Sequence, residues 1–252
     1  MRAIIIGAGR GARLMPTTKN APKCFAEIRG RRILDWMVES LTAGGATEIC
    51  FIGGYQIDLI QKHYPDFIFR RNDDWANNNI LASLMQAEDL MDRPFLTSYA
   101  DILYTPDIVR GLIASPADIA LGIQPDWMNQ YRLRTRHPPD DAEKVQVADG
   151  RILRVHRDIP TENAHGEFTG VARFSGAGAA QFCAHYHRAR TQHAGKPFRE
   201  AQVFEKAYMI HLLQDMVEAG VAVAAVNTTG QYREIDTQED MDLAQTLWMP
   251  MP

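Results

Sequence analysis

The chain has no surplus of positive charge: 27 Lys and Arg stand against 31 Asp and Glu, a formal net charge of −4. That excludes the broad basic face needed to hold a nucleic-acid backbone. Any anion it binds must be met by a few cations gathered in one place. Cysteine is scarce, with Cys24, Cys50 and Cys183 and no CxxC pair. That excludes a disulfide framework and fits a reducing cytoplasm. No apolar run approaches the ~20 residues of a membrane span, so no membrane partner is expected. The N-terminus reads as a strand and not as a signal peptide, because Arg2 is followed by too few apolar residues before the first glycines. Linkers, repeats and low-complexity stretches are missing. The eight histidines show no zinc-ligand spacing, and His185, His187 and His193 read as a surface loop.

What the sequence does have is concentrated at its start. A short apolar strand, Ala3 to Ile6, runs into Gly7-Ala8-Gly9-Arg10-Gly11-Ala12-Arg13, then Pro16, then Pro22-Lys23. A glycine-rich turn after a strand brings backbone N–H groups close to an anion, because glycine has no Cβ to block the approach. Arg13 and Lys23 flank the turn, and the whole reads as a cradle for a polyphosphate. Gly7-x-Gly9-x-x-Ala12 also fits the dinucleotide fingerprint, with Glu27 at a plausible ribose distance. That fold needs the turn to open a long helix. Pro16 and Pro22 leave room for a helical turn at most, between Gly11 and Met15. A tight turn with no ligand is the remaining alternative.

Along the chain, strands alternate with helices. Ile33 to Leu41 carries a helical stripe ending at Gly44-Gly45. Ile49 to Ile52 is a strand, Ile57 to Tyr64 a helix, and Phe67 to Phe69 a strand. Asn77 to Asn79 caps a helix with the stripe Ile80, Leu81, Leu84, Met85 and Met91. Phe95 to Tyr99 is a strand, Thr105-Pro106 opens a helix to Ala114, and Asp118 to Ile123 is a strand. This order predicts an α/β fold, a Rossmann-like mostly parallel sheet with helices on both faces. The second half is more antiparallel: a hairpin of Val145–Val147 and Ile152–Val155 around Asp149-Gly150, then a strand from Phe168 to Phe174. A helix from Tyr208 to Val217, a strand from Val221 to Val226 and a last helix behind a Thr237/Asp240 capping box complete it, with a loose tail after Trp248. We read residues 1–252 as one domain, a nucleotide half over roughly 1–125 and an acceptor half over roughly 126–247.

Nucleotidyl transfer needs charge neutralisation and in-line positioning, which fall to Mg²⁺, Arg and Lys. Mg²⁺ needs one or two carboxylates. Asp101 lies just past a strand end, where ligands of open parallel sheets bind, and Asp236 stands in Glu234-Ile235-Asp236-Thr237. A loop carboxylate and a helix N-terminal charge are the plainer readings of the two.

The segment Gly7–Leu14 with Pro16 and Pro22-Lys23 resembles the signature of the nucleotide-diphospho-sugar transferase superfamily of nucleotidyltransferases. Asn79–Leu84, Ser98–Tyr104, Asp141–Glu143, Gly166–Gly170 and Glu234–Thr237 follow in an order similar to that of its CTP-dependent cytidylyltransferases, which act on small phosphates and phosphonates such as phosphocholine and 2-aminoethylphosphonate. The resemblance covers nearly the whole chain. It implies that Ala8, Gly9, Arg10 and Gly11 hold CTP, with Asn79 and Ser83 near the nucleotide. It implies that Arg13 and Lys23 stabilise charge as pyrophosphate leaves, and that Asp101 and Asp236 hold Mg²⁺.

For the acceptor, the resemblance implies Asp126, Tyr131, Asp141, Glu143, Glu167 and Tyr232 as carboxylates and aromatic faces suited to an amine. Arg134, with Arg132 and Arg136, is a candidate for its phosphate. Tyr131 and Tyr232 replace expected tryptophans, and Ile210-His211 replaces Thr-Asp. Sugar-1-phosphate enzymes of the superfamily usually carry glycines where this chain has Asn77-Asn78-Asn79. The expected reaction is therefore CMP transfer from CTP to a small phosphonate or phosphomonoester. A sugar-1-phosphate nucleotidyltransferase is the alternative. A non-catalytic regulatory subunit is disfavoured because Arg13, Lys23, Asp101 and Asp236 are all kept. Homodimerisation is left open.

Overall fold

The segment Arg2–Gly7 is apolar after its first residue and buried as far as Ile6. A strand with no polar face must be covered on both sides. It is: Ile4 and Ile6 join one hydrophobic core while Ala3 and Ile5 join the other, following the two-residue alternation of a strand. The computed structural model describes residues 1–249.

One nine-stranded sheet carries the fold. Its order is Ile68–Arg71, Glu48–Gly53, Arg2–Gly7, Phe95–Tyr99, Gly166–Phe174, Ile119–Gln124, Val223–Asn227, Arg151–Val155 and Lys144–Ala148. The first four pair in parallel, as do Ile119–Gln124 and Val223–Asn227. Gly166–Phe174 runs antiparallel between those two groups. Helices Ile33–Gly44 and Pro106–Ala114 cover one face, and Gly176–His193 and Met209–Glu218 cover the other. The mostly parallel Rossmann-like sheet expected from the sequence is therefore present, with its antiparallel portion in the second half. The predicted hairpin forms at Lys144–Ala148 and Arg151–Val155. Asp149 and Gly150 at its turn both have positive φ, 49° and 74°, the backbone that a two-residue hairpin turn demands.

Three differences from the sequence reading have physical causes. His185 and His187 are not in a loop: they lie, with His193, on the helix Gly176–His193. Its apolar residues are too sparse for a clear stripe, and alanine propensity with a Ser175 cap (Gly178 N to Ser175 Oγ, 3.0 Å) carries it instead. The helix capped at Asn79 ends at Leu84, and Met85–Leu90 continues as a tighter 3-10 turn, with Ala87 out of helical geometry at φ −110°. A small second sheet, Ile102–Tyr104 against Tyr232–Glu234, went unforeseen because each strand is 3 residues long. The tail expected to be loose after Trp248 lies largely outside the described residues. Among those residues, no helix is long and apolar enough to cross a membrane.

Candidate active site

The first parallel strand ends at Gly7, and a cavity of about 650 Å³ opens there and at the end of Phe95–Tyr99. Gly7 has no space for a side chain: a Cβ would fall 2.5 Å from Phe51 Cζ. Gly9 has the opposite surroundings, with nothing within 4 Å of a Cβ, so its backbone faces open cavity. The chain then closes a 3-10 turn, Ala12–Leu14, the short helical piece that the prolines allow. Gly11 precedes it with φ 68°.

The small sheet sets the charged centre. Its antiparallel register and the 2.8 Å bond from Ile235 N to Asp101 O bring Asp101 and Asp236 to the same wall. Lys23 lies between them: Nζ donates to Asp101 Oδ2 at 2.8 Å and also to Asp236 Oδ1. Arg13 Nη2 reaches Asp236 Oδ2 at 2.5 Å while its side chain stays 62% exposed. Burial works against the charge on Lys23, but Asp101 and Asp236 outweigh it and hold the ammonium above its usual range. Burial likewise opposes the charge on Asp236, and Lys23 and then Arg13 overcome it, leaving the carboxylate below its usual range.

Beside them sits a residue that the sequence did not point to. His137 is buried, with Nε2 3.7 Å from Glu234 and 3.9 Å from Asp236 and Asp141. Burial, helped by Asp236 and Glu167, pushes Glu234 well above the usual carboxylate range. His137, Glu234 and Asp236 offer donor atoms within 4.8 Å of one another, a second set able to hold a metal. A lone histidine in a loop after alternating arginines gives no spacing by which it could have been found.

Two further carboxylates, Glu143 and Glu167, line the cavity. Glu143 accepts from Tyr99 OH at 3.1 Å and from Arg157 Nη2 at 3.3 Å. Arg157 lies over the Tyr208 ring at 4.2 Å. Neither Arg157 nor Tyr208 was singled out from sequence. Glu167 accepts from Tyr131 OH at 2.7 Å. Burial raises both carboxyls, that of Glu167 to about 7.

Of the predicted site residues, Ala8, Gly9, Gly11, Arg13, Lys23, Asn79, Ser83, Asp101, Asp141, Glu143, Glu167, Tyr232 and Asp236 line the cavity. Asn79 and Ser83 also have structural work: Asn79 Oδ1 caps Ile80 N at 2.9 Å, and Ser83 Oγ accepts from Asn72 at 2.9 Å. Four others lie off the lining. Arg10 points towards Tyr55, 5.6 Å from its ring. Asp126 is exposed beyond the sheet. Tyr131 is buried and meets the site through Glu167 and through the edge of the His137 ring, 5.5 Å away. Arg134, 3% exposed, pairs with Asp240 at 2.7 Å and donates to Glu234 O at 2.8 Å, so it has no free face for an acceptor phosphate. Ile210 and His211 sit in the helix behind the cavity, where burial lowers the His211 imidazole to about 4.

Residues 3–158 match the family model of the MobA-like NTP transferase domain. Among individual proteins, the chain is 29% identical over 253 aligned residues to the CTP:phosphoglutamine cytidylyltransferase of Campylobacter jejuni, a match spanning 96% of this chain and 98% of that one. It is 28% identical to a 2-aminoethylphosphonate cytidylyltransferase of Lancefieldella rimae over 36% of this chain and 38% of the relative. Among solved structures, the CTP:phosphocholine cytidylyltransferase of Streptococcus pneumoniae superposes with a TM-score of 0.74 at 19% identity, over 98% of this chain and 99% of that one. That likeness establishes the Rossmann-like nucleotidyltransferase fold. The chain belongs to the MobA-like NTP transferase family and is a nucleotidyltransferase.

Proposed function

We propose that the protein is a Mg²⁺-dependent cytidylyltransferase, moving CMP from CTP to a small phosphate or phosphonate acceptor and releasing pyrophosphate. The observation that carries this reading is the convergence of Arg13 and Lys23 on Asp101 and Asp236 beside the glycine turn. The full-length match to a CTP-using relative supports CTP as donor.

In this scheme the Ala8–Gly11 backbone holds the triphosphate. Asp101 and Asp236 suit Mg²⁺: both offer hard oxygen donors, and both already share one cation, the Lys23 ammonium. Bound Mg²⁺ would neutralise charge on the phosphates. Arg13 is exposed enough to swing onto the triphosphate, and Lys23 follows the charge that builds on the leaving group. An ionised oxygen of the acceptor attacks the α-phosphorus. The new P–O bond forms as the bond to the β-phosphate bridge breaks, and its electron pair leaves with pyrophosphate. No proton has to be removed and no covalent enzyme intermediate is needed. Asp141, Glu143, Glu167 and Tyr232 hold the acceptor end. The acceptor is a small molecule, and we place the reaction in the cytoplasm, in one domain without nucleic-acid or membrane partners.

The test is pyrophosphate release across CTP, UTP, GTP and ATP, with and without Mg²⁺. The acceptors are 2-aminoethylphosphonate, phosphocholine, amino-acid phosphonates and sugar-1-phosphates. Mg²⁺-dependent release with CTP and a phosphate or phosphonate acceptor is expected. Release only with a sugar-1-phosphate would overturn the acceptor assignment in favour of the activity named for a Haloferax volcanii relative, a UTP–glucose-1-phosphate uridylyltransferase 28% identical over 59% of this chain.

A further inference from the structure

The cavity holds one cation that the transfer chemistry does not use. Lys23 and Arg13 are engaged with Asp101 and Asp236. Arg157 is not. Among the described residues its guanidinium makes a single protein hydrogen bond, the 3.3 Å contact from Nη2 to Glu143. Its Nε is buried without a partner. The side chain lines the cavity and is 35% exposed there. The Tyr208 ring, 4.2 Å from the guanidinium carbon, fixes the plane of the fork. Most donors of a planar, oriented guanidinium are thus left for something else.

Arginine forks are matched geometrically by carboxylates and phosphates. The acceptor's phosphate must reach the α-phosphorus from the side away from the leaving pyrophosphate, beside Asp101 and Asp236. What remains for Arg157 is a carboxylate. Glu143 beside it, bound also by Tyr99, supplies the opposite charge at the same spot. Burial makes ionised Glu143 costly, so a cationic group of the ligand would relieve it. A fork for a carboxylate next to an acceptor for an ammonium is a receptor for a zwitterion.

We infer that Arg157 and Glu143 determine acceptor specificity by binding the carboxylate and ammonium of an α-amino acid. The acceptor is then an amino acid bearing a phosphate or phosphonate, and not a simple amino-alcohol phosphate. This rests on the cytidylyltransferase reading above.

A matched pair of probes tests it: 2-amino-4-phosphonobutanoate and 3-aminopropylphosphonate, identical except for the carboxylate. With CTP and Mg²⁺, kcat/KM for the amino acid should exceed that for the amine by at least about tenfold, chiefly through KM, as expected for a charge-assisted contact. Arg157→Met keeps an apolar stem against Tyr208 and should bring that ratio close to one, and Arg157→Lys should restore part of it. Equal or better turnover of the amine by the unaltered enzyme would overturn the inference while leaving the cytidylyltransferase reading intact, and this measurement needs no variant to fold. A preference that survives in Arg157→Met would overturn the role of Arg157. No pyrophosphate from CTP with any phosphonate or phosphate, 2-aminoethylphosphonate and phosphocholine included, would overturn both.

Discussion

The Cβ that Gly11 lacks would fall 2.8 Å from the Cβ of Lys23, on a backbone with φ +68°. The glycine turn and the lysine are therefore one packed unit: the stem of Lys23 occupies the space that a side chain at position 11 would need. Gly11→Ala should cost about 1–2 kcal/mol from the left-handed backbone alone. It should also push Lys23 off Asp101 and Asp236, lowering kcat/KM at least tenfold. Gly9→Ala is the comparison, because its Cβ meets nothing within 4 Å. Its melting temperature should match that of the unaltered protein. Calorimetry and pyrophosphate release on the two variants check this, and an unperturbed Gly11→Ala would break the link between turn and lysine.

Lys23 also makes the chemistry of Asp101 and Asp236 testable. Asp101→Asn removes one hard oxygen donor and one charge, and Lys23→Ala removes the ammonium that both carboxylates share. Each should lower kcat by at least about a hundredfold, the scale seen for losing one electrostatic transition-state contact. The far-ultraviolet dichroism of both should remain that of the folded protein. Full turnover by either would remove that residue from the transfer chemistry.

The strands and most helices were legible because their signals are local. Unbroken apolar runs such as Ala3–Ile6 mark strands covered on both faces. Thr237 with Asp240 announced a helix, and the cap forms with Asp240 N 3.2 Å from Thr237 Oγ1. The glycine turn was legible because its chemistry lies within a dozen neighbouring residues. How the remaining residues meet was not, because the site is assembled from distant segments by elements too short for periodicity. Asp101 meets Asp236 through strands of 3 residues. Of Arg132, Arg134 and Arg136, sequence cannot say which is buried, since that depends on where Asp240 arrives. Arg157 follows a hairpin strand and acquires meaning only from the Tyr208 ring beneath it.

Arg134 is predicted to hold the fold together and to leave the acceptor alone. It pairs with Asp240 while both side chains are essentially buried, 3% and 0% exposed. Asp240 Oδ2 in turn accepts from Asp236 N at 3.0 Å and Thr237 N at 2.8 Å. Arg134→Leu would strand the Asp240 charge, and breaking a buried pair on one side costs about 3–5 kcal/mol. Urea unfolding measures this. A loss under about 1 kcal/mol, together with a raised acceptor KM, would return Arg134 to the acceptor side.

Glu167 gives a pH dependence of known sign. Burial lifts its carboxyl to about 7, against the hydrogen bond from Tyr131 and the charge of Arg134 that pull it down. The folded protein therefore binds this proton more tightly than the unfolded chain does. Between the ordinary carboxylate range and about pH 7 the folded state holds more protons, so its stability falls as pH rises through that window. Glu167→Gln keeps an oxygen for Tyr131 and abolishes the titration. Its melting temperature relative to the unaltered protein should rise by a few degrees between pH 5 and pH 8, at roughly 2–4 °C for each kcal/mol in a chain of this size. Calorimetry at the two pH values checks it. A difference that stays flat would mean that Glu167 is already ionised at pH 5 and that Tyr131 and Arg134 outweigh its burial.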